Sequence, residues 1–165
     1  VFSKQAFAAT LAPLGFTKYD ASLGRPTSHD EDGSSFDGEI EVTGQLRVAK
    51  EEDTCEEACA WFEPDAASRA RLPRPILAGN TEPYTMEAIW LGEARKALSG
   101  AFTTEQLNDL LGGLSGKYSV PVRLKLSDYR VEITCDWAYY SAEVRELHAD
   151  VQLASRKELP DFTTC

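Results

Sequence analysis

The most constraining feature of this chain is the segment from Gly38 to Lys50. There Ile40, Val42, Leu46 and Val48 alternate with Glu39, Glu41, Thr43, Gln45 and Arg47. A side-chain period of two with one apolar face is the pattern of a strand half-buried against a core. Gly44 falls on the apolar face, where the missing side chain marks a bulge or sharp bend of the kind that curls strands in small barrels. A chain built around such a strand must supply partners for both of its edges.

The partners are legible nearby. Ala58 to Phe62 is a short apolar run that predicts the neighbouring strand, with the acidic stretch Glu51 to Glu57 as the connection. Val120, Val122, Leu124 and Leu126 alternate again, as do Tyr129, Val131, Ile133, Cys135, Trp137 and Tyr139, which predicts a hairpin turning at Ser127–Asp128. A third alternating run covers Leu147, Ala149, Val151 and Leu153, although Val144, Leu147 and Val151 would also fit a helix. Helices are short. Ser3 to Leu14 has apolar residues at helical spacing behind a serine cap. Asp65 caps a helix that ends before Pro73. Tyr84 to Leu91 reads as a strand handing over to a helix near Gly92. Thr103 and Gln106 form a capping box for a helix through Leu111. Asp20 to Gly38, rich in Gly, Ser, Pro and Asp, reads as a long loop. With no repeat and no linker, the expectation is one domain over residues 1–165. Its class is α+β: a curled, mainly antiparallel sheet or small, partly open barrel with two or three short helices.

Charge narrows the partners. The chain carries 27 acids against 17 bases, a net −10. Such a chain repels phosphate backbones and anionic lipid, so nucleic acid and membrane surfaces are not expected partners, and no apolar run is long enough to span a bilayer. A basic protein is electrostatically favoured.

The four cysteines are Cys55, Cys59, Cys135 and Cys165. An even count points to disulfides in an oxidising compartment. The favoured pairing is Cys55–Cys59 with Cys135–Cys165, crossed pairings remaining open. The C-x3-C spacing followed by two isolated cysteines matches zinc modules poorly. Val1, rather than Met, opens the chain. Together these features lead to the expectation of a secreted or periplasmic protein.

No glycine-rich phosphate loop follows a strand, and neither a nucleophile elbow nor a zinc-protease motif is present. His29 and His148 flank no motif. Counted from Ser28, Asp30, Asp32, Gly33 and Glu39 occupy positions three, five, six and twelve of a calcium-loop spacing. Ser28 stands where an aspartate is expected and a strand follows instead of a helix, so Asp30, Asp32 and Glu39 form a weak calcium candidate beside the simpler reading of a solvated acidic turn. No other cofactor is expected. Glu51, Glu52, Asp53, Glu56 and Glu57 surround Cys55 and present an anionic loop suited to steering a basic partner. Trp137 and Tyr139 share the face of Val131 and Ile133 and are expected in the core, as are Trp61 and Trp90. Tyr140 points the other way and joins the acidic loop as a candidate contact residue.

The function expected from this inventory is an exported acidic binding protein: an inhibitor, immunity-type protein or interaction module that engages a basic partner. A small carboxylate-dependent hydrolase of the glycosidase kind is the first alternative, since it needs only two acids at a set separation. A module binding carbohydrate or another small ligand is the second. The enzyme question leans to no.

Overall fold

The computed structural model describes residues 15–29, 33–51, 53–76, 81–112, 117–134 and 137–149. The expected helix at Ser3–Leu14 and the cysteines Cys135 and Cys165 lie outside these. The strands are β1 (Gly15–Phe16), β2 (Pro26–His29), β3 (Gly33–Phe36), β4 (Ile40–Ala49), β5 (Cys59–Pro64), β6 (Pro75–Ile76), β7 (Ile89–Glu93), β8 (Lys117–Thr134) and β9 (Trp137–Ala149). Among the described residues, three short helices, α1 (Ala66–Arg69), α2 (Ala94–Leu98) and α3 (Thr104–Gly112), complete an α+β fold.

The alternating segment forms β4 as expected. Ile40, Val42, Leu46 and Val48 are buried. One edge pairs with β5, Ala49 facing Cys59 and Gly44 facing Pro64. The other pairs with β8 from Ile40–Leu126 to Ala49–Lys117. β5 continues antiparallel to β7, and β7 pairs in parallel with β9 at Ile89–Tyr140 and Trp90–Ser141. β9 returns antiparallel to β8. The strands β4-β5-β7-β9-β8 therefore close a ring, narrowly, through the short parallel contact. The order β8-β4-β5-β7 is a Greek key, and closure removes the open edges that a flat sheet would expose.

β8 is longer than the barrel needs. Beyond the barrel, its second half pairs with β3 on one side, from Phe36–Tyr129 to Gly33–Glu132, and with the start of β9 on the other. The chain thus runs straight through Ser127–Asp128, where a turn was expected. The turn chemistry is present, with Asp128 at φ 50°, but it produces a bulge. Ser127 pairs with Glu143 and Arg130 with Ser141, leaving two residues of β8 opposite Ala142. Arg145 Nε donates to Ser127 Oγ at 2.8 Å and steadies the bulge. Partners on both edges make extension more favourable than reversal. The extra residue also resets the alternation, so Leu124 and Leu126, then Tyr129 and Val131, face the core. The chain reverses instead between Thr134 and Trp137, which pair.

The segment 20–38, expected as a loop, holds a 3-10 turn at Ala21–Leu23 and the hairpin β2–β3. Serine and glycine pack there because β3 lies close against β8. Leu23 and Phe36 anchor it in the core, where Phe36, Phe16, Tyr19 and Tyr129 form edge-on and tilted ring contacts at 5.3–6.5 Å. The remaining expectations follow more directly. Asp65 caps α1 by accepting from Ser68 N–H at 2.8 Å. Thr103 and Gln106 make the reciprocal capping box of α3, at 2.9 and 3.2 Å, while Leu107, Leu110 and Leu111 are buried.

Candidate functional site

The acidic connection between β4 and β5 is tied down at several points. Cys55 and Cys59 are bridged, with Cα atoms 5.6 Å apart. Glu51 C=O accepts from Thr54 N–H at 3.1 Å and Cys55 N–H at 3.0 Å, making a turn. Glu57 receives both the Nε and an Nη of Arg95 at the start of α2, at 2.7 and 2.9 Å, and this pairing lowers the Glu57 pKa. Glu56 N–H donates to Glu93 at 2.9 Å, and Ala94 N–H to Ala58 C=O at 2.8 Å. The carboxylates of Glu51, Asp53 and Glu56 are left exposed at the rim of the barrel, while Glu57 is committed to Arg95. Glu52 lies outside the described residues.

The other expected site residues are dispersed. Asp30 and Asp32 lie outside the described residues. Ser28 and Gly33–Phe36 are held in the β2–β3 and β3–β8 ladders, and exposed Glu39 sits 3.8 Å from the Lys125 ammonium. Among the described residues, no group of three or more His, Cys, Asp and Glu side chains gathers around a common point. The acids with lowered pKa values do structural work. Asp20 caps the 3-10 turn through Ser22 and pairs with Arg71 at 2.8 Å, which lowers its pKa to about 2. Asp65 is held down by the Thr43 hydroxyl and the α1 cap.

The aromatic expectations reverse. Tyr140 is 4% exposed, stacked 6.4 Å from the fully buried Tyr129. Burial raises the pKa of both phenols, and Tyr129 donates to Pro73 C=O at 2.7 Å. Trp137 and Tyr139 instead stand 65% and 58% exposed. The reason is register. With the turn after Thr134, Tyr140 pairs with Val131 on the inner face, and Trp137 and Tyr139 share the outer face with Thr134 and Glu132. Trp61 and Trp90, also expected inside, are half-buried on the outer face, in edge-on contact at 5.3 Å.

These outer residues form a continuous feature. The ladder partners Ser119, Arg47, Trp61, Trp90 and Ser141 make one row around β8, β4, β5, β7 and β9. Arg47, Trp61, Trp90 and Ser141 are each flanked along their strands by more buried neighbours, so the row faces outward. From Ser141 the outer face of β9 continues to Tyr139 and Trp137. An aromatic strip thus runs from Trp61, four residues after the last acid of the loop, to the β8–β9 turn. The charged side chains along it are paired: Arg47 with Glu63, and Arg130 with Glu132 at 2.8 Å. Compared with known proteins, the chain matches no family model, no curated protein and no solved structure.

Proposed function

We propose that the chain is an acidic binding protein that engages a basic protein partner through the loop joining β4 and β5. The observation that carries this reading is the fixing of an anionic loop. The disulfide, the Glu57–Arg95 pair and the Glu56–Glu93 bond hold residues 53–59 before any partner arrives, while Glu51, Asp53 and Glu56 face water. Preorganisation lowers the entropic cost of association, and clustered like charge steers an oppositely charged partner. The net charge of −10 extends the same field over the whole surface. An oxidising compartment, secreted or periplasmic, belongs to the proposal, and the Cys55–Cys59 bridge supports it.

The test uses proteins retained from the source organism by the immobilised chain. Retained basic proteins should associate more slowly as salt rises, and Glu51→Lys with Glu56→Lys should slow association about tenfold or more. Association indifferent to both salt and these substitutions defeats the proposal.

A further inference from the structure

We infer that the outer aromatic strip of Trp61, Trp90, Tyr139 and Trp137 is the surface on which an arginine-rich extended segment of the partner docks. The inference rests on the binding-protein reading and names where the contact energy comes from. Two exposed aromatics side by side on a strand are unusual for a surface that stays wet, since water gains nothing from the rings. Tyr and Trp are also the side chains that most often carry interface energy, because they lose little conformational freedom on contact.

Charge selects the occupant. Ring faces attract cations, arginine above all. The strip's own guanidiniums already face acids, Arg47 with Glu63 and Arg130 with Glu132 and Ser35. An anionic ligand would therefore have to compete with existing pairs, whereas an incoming guanidinium meets rings, Ser141, and exposed Glu143, whose nearest base is Lys96 at 3.9 Å. The strand carrying Trp61 follows directly from the acidic loop, whose Glu56 and Asp53 are exposed. Strand geometry gives a length of about 15 Å from Trp61 to Trp137, which five or so extended residues span. The acidic loop then speeds the encounter, and the strip slows release.

The experiment titrates isotope-labelled chain with nona-arginine peptide at low salt and follows backbone amide and indole N–H resonances. The indoles of Trp90 and Trp137 and the amide of Tyr139 should shift together. Trp137→Ala with Tyr139→Ala, both exposed and neutral, should weaken binding tenfold or more without changing its salt dependence. Nona-lysine should bind more weakly than nona-arginine. Shifts confined to Glu51, Asp53 and Glu56, with affinity unchanged in the double variant, overturn the strip and leave the acidic-loop reading standing. No binding of nona-arginine at all overturns both. A result in which an uncharged N-acetylglucosamine hexamer, and not nona-arginine, shifts the strip resonances overturns the strip alone, since the strip would then be a sugar platform.

Discussion

At Gly44 the carbonyl oxygen of Glu63 lies 2.1 Å from where a β-carbon would stand. The close approach leaves no room for a side chain between β4 and β5 where β5 ends in Pro64. Gly44→Ala must push the strands apart, and should cost about 1–3 kcal/mol, read as a lower urea midpoint with unchanged slope. An unchanged midpoint would mean that the pairing has room to spare. Asp20 makes a second residue-scale prediction. Bonds from Ser22 and Arg71 lower its pKa from 3.8 to about 2. A group whose folded pKa is depressed contributes stability above its unfolded pKa and loses it as pH falls through the folded value. Stability should therefore fall between about pH 4 and pH 2, and Asp20→Asn should flatten that part of the profile, measured by denaturant unfolding at each pH. An equally steep profile in the variant would assign the acid sensitivity to other carboxylates.

At the scale of elements, local chemistry and neighbours contribute unequally. α3 is nearly autonomous: its capping box, its buried leucines and its boundaries follow from Thr103 to Leu111 alone. Thr103→Ala should cost about 1 kcal/mol, visible as a small drop in thermal midpoint, with the rest of the fold intact. A loss several times larger would show that the cap also fixes the passage from α2 into α3. β4 and β5 were equally legible, because each buries one face and is bounded by residues that stop it; of the strand expected over Tyr84–Leu91 only the part from Ile89 forms, running on to Glu93 before the helix that follows Gly92. β8 was not legible. Ser127–Asp128 has turn chemistry, yet pairing on both edges of β8 decides its conformation, and no local window contains those partners. The later turn also misplaced the aromatics. With the reversal after Thr134, Tyr140 pairs with Val131 and faces inward, while Trp137 and Tyr139 face outward. Of the candidate site, the acidic loop could be read from the sequence, and its Cys55–Cys59 bridge was the favoured pairing that the structure selects. The strip could not, because Arg47, Trp61, Trp90 and Ser141 become neighbours only through cross-strand register.

For the whole molecule, the ring β4-β5-β7-β9-β8 is closed by its weakest seam, two residue pairs between β7 and β9. Net charge acts on that ring as a whole. Exposed ion pairs such as Lys96–Glu143 and Lys125–Glu39 contribute little, while a charge of −10 repels itself in the compact state. Moderate sodium chloride should therefore raise the thermal midpoint by a few degrees at neutral pH; a fall would show that attractive pairs outweigh the repulsion.

Sequence alone determined the class of the fold, the long strand β4, the caps of α1 and α3 and the acidic loop, and it favoured one disulfide among the open pairings. These depend on periodicity, on capping geometry and on residues close in the chain. Tertiary structure decided the closure of the ring, the uninterrupted course of β8, the hairpin hidden in the segment 20–38, and which aromatics face water. Those outcomes depend on which strand edges meet, and a shift of one residue in register moves every side chain to the opposite face.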